Sequence, residues 1–407
     1  MAVEAPPRAL EHPLPSGMRD LLPEEAAARR ALARNILDSF ALHGYALVTP
    51  PVFEFAEVLE RGLGTLDPAE VLRFVEPESG EVAALRPDMT PQIARMIATR
   101  LRGRALPFRL GYEGTVLRRR SGRARKHRQI PQVGVELAGV SGPEGDLELL
   151  ALVVDSLRAA GLDRFQIDVG DAGVIRGLLS PLTPEHQALL SDALARKDPT
   201  EVAEVCAAVQ APHASALAML PLLHGGRAEL RAGVERLAAT PAAGAAARLL
   251  ALFESATARG LAAHVTADLG EVRGFAYYTG PMFHVYAPGT GDAIGSGGRY
   301  DELLGRFGWD LPAAGFALDL DRLAEALKAA GKVHQTSIGV VVVGGPDSPA
   351  IRGLRAQGVV SVSMANRAAA LAWARDWGFT YVLDAPDWVD VPSGATIPSP
   401  LGERGQR

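Results

Sequence analysis

From about residue 172 to 260 the chain is rich in alanine and leucine at helical spacing and carries no strand signal, yet strand-like runs stand on both sides of it. One such run, 165–169, precedes the block, and 264–268, 282–287 and 313–318 follow it. Strands that are interrupted by so long a helical stretch and still share one sheet imply an antiparallel α+β core with flanking helices, not successive βαβ units. The block itself, at about 172–262, reads as a helical insertion in a large domain spanning 1–330. A new unit begins near Gln335, where strands at 337–343, 359–363 and 381–383 alternate with helices in a small, truncated α/β domain over 335–390. Its Pro/Gly/Ser-rich continuation, 391–407, is expected to be a disordered tail. A chain of 407 residues accommodates such a pairing of one large domain with one small.

Nearer the start, residues 23–43 open with Glu24 and Glu25, repeat apolar side chains at Leu32, Ile36, Leu37 and Phe40, and stop at Gly44: a capped amphipathic helix. Residues 45–48 read as a strand closed by Pro50 and Pro51, which cannot donate ladder hydrogen bonds. Thr90 and Pro91 have the character of an N-cap and a first-turn residue for a helix through Ile93, Met96, Ile97 and Leu101. The stretch 106–139 holds two strand-like runs around a hinge carrying Arg118, Arg119, Arg120, Arg123, Arg125, Lys126 and Arg128, hence a hairpin with a long basic loop.

Composition narrows the classes of function. The single cysteine, Cys206, excludes an internal disulfide and a cysteine-based zinc cluster, and suits a reduced, cytoplasmic compartment. No run approaches the roughly 18 apolar residues of a membrane span, and residues 1–23 carry acids and prolines where a leader needs an apolar stretch. The net charge of -5 argues against nucleic acid as a whole-surface partner. Gly344-Gly345 follows a valine run but lacks the later glycine and the acid of a dinucleotide fingerprint. Nothing in the pattern calls for a cofactor or a metal.

Candidate chemistry concentrates in a few segments. In 129–139 alternate residues face alternate sides, so Gln132, Gly134 and Glu136 project together while Val133 and Val135 enter the layer beneath. Glycine within a strand is unfavourable unless something approaches the backbone, so two polar groups flanking a gap mark either a solvent-facing strand or a ligand site. Glu136 can accept from a ring N–H, and Gln132 can both donate and accept. Asp88 precedes the helix that Thr90 caps, where an acid helps the cap and the helix dipole. The segment 273–280 sets Arg273, Tyr277 and Tyr278 among glycines before a strand, where an arginine suits a carboxylate or phosphate. In the glycine turn 295–301, Arg299 and Asp301 read as bracing each other.

In chain order, Leu85-Arg86-Pro87-Asp88-Met89-Thr90, Gln132-Val133-Gly134-Val135-Glu136, Arg273 through Gly280, Gly297 through Asp301 and Pro312 through Leu323 resemble histidyl-tRNA synthetase. The resemblance implies the class II aminoacyl-tRNA synthetase fold. It implies too that Asp88, Thr90 and Gln132 hold the α-amino group of L-histidine, Glu136 with Tyr277 or Tyr278 its imidazole, and Arg273 its carboxylate. The departures from the family pattern are as telling. Where the synthetases have an arginine and, two residues on, a glutamate that reads ATP, this chain has Arg118 and Arg120. Where their third motif has a glycine against the nucleotide, this chain has Asp319, shortly before Arg322. A carboxylate touching a triphosphate costs about 1 to 4 kcal/mol per charge pair. Ala276 replaces an aspartate, and the last unit is short for an anticodon-binding domain, so tRNA is not an expected partner.

This pattern resembles the synthetase-like regulatory-subunit family of ATP phosphoribosyltransferase. That likeness implies a chain without catalytic residues, with a histidine site and a degenerate nucleotide site at Arg118, Arg120, Asp319 and Arg322. It implies a hetero-oligomer with the short catalytic subunit at the first step of histidine biosynthesis, a homodimer through the synthetase-like interface, and feedback inhibition by histidine. The basic loop 118–128 is then either a solvated relic of a tRNA-contacting loop or a docking patch for an acidic face of the catalytic subunit. An active histidyl-tRNA synthetase with a divergent tail is the alternative.

Overall fold

A computed structural model describes residues 14–62, 70–119, 127–272, 278–332 and 339–401 of the chain. Two compact units are present, one of Met1–Leu21 and Arg29–Lys332, the other of Leu22–Ala28 and Val333–Arg407.

Among the described residues the larger unit is built on a nine-stranded sheet in the spatial order Ala46–Leu47, Phe108–Leu117, Gln129–Ala138, Ala313–Asp319, Gly295–Arg299, Pro281–Tyr286, Gln166–Asp171, Val265–Asp268, His224–Gly225. Neighbours are antiparallel except at Ala46–Leu47 beside Phe108–Leu117 and at Gln166–Asp171 beside Val265–Asp268. The α+β sheet with an inserted helical block is therefore the observed architecture. Strand periodicity sends Val133, Val135 and Leu137 of Gln129–Ala138 into one layer, where they pack with Ile36 and Phe40 of the helix Pro23–Leu42 and with Leu149, Leu150 and Val153 of the helix Pro143–Ala159. Burying a side chain such as Phe40 is worth about 1.5 to 3 kcal/mol, so this layer fixes the strand's register and leaves the opposite face for polar groups.

The insertion follows Asp171 as the helices Ala172–Leu179, Pro184–Ala195, Pro199–Ala208, Ala214–Met219, Arg227–Leu237 and Ala243–Ala258. Its starts obey capping chemistry: Asp171, Thr183 and Asp198 accept from first-turn N–H groups, and proline opens the second and third helices. One departure is the strand His224–Gly225, which pairs antiparallel with Val265–Asp268 and is too short to leave a period-two pattern in the sequence.

In the smaller unit the sheet order is Val360–Met364, Gly339–Val343, Tyr381–Asp384, Asp387–Asp390, Thr396–Ile397, the first three parallel. The stretch expected to be disordered from 391 thus carries a buried Val391 and a strand against Asp387–Asp390, because the open edge of that strand supplies backbone hydrogen-bond partners that tail composition does not reveal. Residues 402–407 lie outside the described residues.

Candidate amino-acid cleft

On the opposite sheet face Leu110 and Tyr112 join a second apolar cluster with Met89 and Ile93, and small residues mix there with larger ones in three cross-strand rows. Gly114, Gln132 and Asp319 form the first, Tyr112, Gly134, Ala317 and Ser296 the second, and Leu110, Glu136, Gly315, Gly298 and Met282 the third. The gap expected over Gly134 is filled by the chain itself: a Cβ there would lie 2.5 Å from the Tyr112 hydroxyl and 2.3 Å from the Phe316 carbonyl oxygen. One row along the space is taken up in the same way, by the side chains of Glu136 and Tyr300. At Gly315 a Cβ would meet Glu136 Oε2 at 2.3 Å and the Tyr300 hydroxyl at 2.4 Å, so glycine there leaves room for the carboxylate and the phenol.

Glu136 is 4% exposed. Its Oε1 accepts from the Thr90 hydroxyl at 2.6 Å, while its Oε2 is buried with no hydrogen-bond partner among the described residues. Burial raises its pKa well above the ordinary carboxylate range, the Thr90 hydrogen bond opposes that, and the nearby Asp88 adds to it. Thr90 is therefore not the N-cap expected from the sequence. Helix Thr90–Arg100 begins after Met89, which makes no side-chain cap bond, and Asp88 Oδ1 accepts from Thr90 N at 3.1 Å. The acid does the capping and frees the threonine hydroxyl for Glu136. Asp88 Oδ2 also faces Arg118 Nη2 at 3.4 Å, and Arg118 Nε donates to the Pro87 carbonyl at 2.7 Å. Gln132 is half-buried two rows from Glu136, and its buried Oε1 likewise has no partner among the described residues.

Tyr278 covers the far side. Its ring sits on Gly298, where a Cβ would be 2.8 Å from Cδ1, and its hydroxyl is hydrogen-bonded to Ser296. Burial, then the charge of Asp88, raises its pKa, so the phenol stays protonated and can donate. Arg299 and Asp301 brace each other as expected, at 3.1 Å, and Arg299 also meets the buried Asp146 at 2.8 Å. Arg273 and Tyr277 lie outside the described residues, as does Arg120. The structure thus brings Asp88, Thr90, Glu136, Tyr278 and Arg118 together, with Gln132 two rows from Glu136 on the same face. Tyr112, Tyr300 and Ser296 also line this face and were missed in the sequence, since nothing local distinguishes them from core residues.

The adjoining corner is internally neutralised. Asp319 ends its strand and caps the helix Leu320–Ala329, accepting from Asp321 N at 3.0 Å and Arg322 N at 3.2 Å. Burial raises its pKa, and the Arg322 N–H and charge act against that. Arg322 meets Asp292 at 2.8 Å and Asp319 at 3.6 Å and donates to the Ala293 carbonyl at 2.6 Å, while Asp321 pairs with Arg19 at 2.7 Å.

Comparison with known proteins identifies the family. The family model for histidyl-tRNA synthetase matches residues 17–323. A relative from Moorella thermoacetica, an ATP phosphoribosyltransferase regulatory subunit by name, is 40% identical over 86% of this chain and 91% of its own length. Another of that name, from Anaeromyxobacter dehalogenans strain 2CP-1, is 43% identical over 78% and 92%. The chain belongs to this synthetase-like regulatory-subunit family. A solved structure from Bacillus halodurans, described as an ATP phosphoribosyltransferase regulatory subunit/histidyl-tRNA synthetase, matches with a TM-score of 0.78 at 28% identity, covering 91% of this chain and 97% of that one. A histidyl-tRNA synthetase from Nostoc, at 21% identity and TM-score 0.79, covers 96% and 97% and speaks to the fold alone. The regulatory-subunit family thus carries the class II fold expected from the sequence motifs.

Proposed function

We propose that the chain is the regulatory, non-catalytic subunit of an ATP phosphoribosyltransferase, working with the short catalytic subunit at the first step of histidine biosynthesis. Its cleft binds free L-histidine and relays feedback inhibition. The observation that carries the ligand reading is Glu136: a buried carboxylate with one oxygen on Thr90 and the other without a partner among the described residues is costly unless a donor arrives, and an imidazole N–H is such a donor. Asp88 offers a carboxylate to an ammonium group, Gln132 an acceptor, and the Tyr278 hydroxyl a polar tip beside the ring. Arg273 and Tyr277 complete the set by resemblance. Histidine shifts the complex only if it binds the inhibited state better than the active one. Isothermal titration of L-histidine into the intact chain and its Glu136→Ala variant tests the pocket; equal affinity in both would refute it.

The rest of the assembly follows the family. The exposed Phe53, Phe55, Val75 and Val82 of the small sheet Phe53–Phe55, Val82–Leu85 and Arg73–Val75 support a homodimer interface, which sedimentation equilibrium checks. No helix among the described residues is long and apolar enough to cross a membrane, and we assign the complex to the cytoplasm. Co-purification with the short catalytic subunit, scored by gain of phosphoribosyltransferase activity, tests the partnership. The competing reading, an active histidyl-tRNA synthetase, draws on the fold, and histidine-dependent exchange of pyrophosphate into ATP by the chain alone would rescue it.

A further inference from the structure

Tyr278 is held from two sides by different means. On the sheet side Thr279 N donates to the Arg299 carbonyl at 2.6 Å, and the Thr279 hydroxyl accepts from Asp301 N at 2.9 Å. On the other side an exposed residue of the insertion's first helix, Ala172–Leu179, reaches across: the Arg176 guanidinium donates to the Tyr278 carbonyl oxygen. That helix is itself fixed. Asp171 at its N-cap is 2% exposed, accepts from Gly173 N at 2.9 Å, and grips Arg248 of the helix Ala243–Ala258 through two bonds of 2.8 Å. Ala172 N donates to the Gly280 carbonyl at 3.0 Å, so the helix start and the exit of the tyrosine segment are one piece.

A solvent-exposed guanidinium on a carbonyl adds little to global stability, because water competes for both groups. Its effect is local. We infer that Arg176 is a positioning residue for the amino-acid cleft: it fixes the Tyr278 main chain so that the phenol stays on Gly298 and against Ser296, beside Glu136. Through it the helical insertion is tied to the cleft's occupancy. The inference rests on the reading of the cleft as a histidine site.

The test is isothermal titration of L-histidine into the intact chain, Arg176→Met and Arg176→Lys, with thermal melts and amide exchange at Thr279 on the same samples. Arg176→Met is expected to weaken histidine roughly tenfold, to speed exchange at Thr279 and to leave the melt in place. Arg176→Lys recovers part of the affinity, because an ammonium group can reach the carbonyl with one donor. Unchanged affinity in Arg176→Met, unchanged exchange at Thr279, or an affinity loss that tracks a lowered melting temperature overturns the positioning role while leaving the histidine site standing. Absence of histidine uptake by the unsubstituted chain overturns both.

Discussion

The two halves of the cleft treat their charges in opposite ways. In the amino-acid half, Glu136 Oε2 and Gln132 Oε1 are buried and have no partner among the described residues. In the half where a synthetase reads its nucleotide, Arg322 is held by Asp292 and Asp319, and Asp321 by Arg19. What a fold can bind depends on the hydrogen-bonding capacity its own chain leaves open, so a shared architecture does not by itself carry over a shared ligand.

The contrast can be broken most sharply at Glu136. Glu136→Ala removes the acceptor for the imidazole and strands the Thr90 hydroxyl, so histidine affinity measured by calorimetry should fall about a hundredfold. Retained affinity would mean that the open capacity in this half is not what binds. The opposite half is probed by gain of function. Asp319→Gly combined with Asp292→Ala frees Arg322, and binding of a fluorescent ATP analogue should rise at least about tenfold. Because glycine serves an N-cap almost as well as aspartate, the helix Leu320–Ala329 should lose only a few tenths of a kcal/mol in a denaturant melt. No rise in nucleotide binding would show that the carboxylates are not the barrier.

A smaller effect concerns pH. The folded-state pKa of Glu136 is raised, so between the ordinary glutamate range and that raised value the folded chain holds a proton that the unfolded chain has released. Stability therefore declines as pH rises through this window and levels off above it. Glu136→Gln removes the titration, so denaturant melts across pH should show a flatter decline than in the unsubstituted chain. Identical profiles would place the ionised carboxylate in a better-solvated site than its burial indicates.

How much of this was legible in advance depended on distance along the chain. The face of Glu136 and Gln132 followed from period-two alternation, and the brace between Arg299 and Asp301 from their proximity in one turn. The helical insertion and the antiparallel core followed from the order of the patterns. Contacts set by tertiary register did not. Tyr112 lies on Gly134 because two strands pair at one particular offset, and a sequence shows a glycine without showing what it makes room for. Thr90 looked like a cap because local propensity favours it there, but Glu136, 46 residues away, takes its hydroxyl and Asp88 takes over the backbone N–H. Asp319 was legible as a departure from the synthetases. Its service as a cap, and the pairing of Arg322 with Asp292, needed the fold.

The account is tested most directly by titrating the intact, unsubstituted chain with L-histidine and, separately, with ATP in a calorimeter. It predicts saturable heat with histidine, one site per chain, and none with ATP. Saturable ATP binding followed by histidyl-adenylate formation would contradict it.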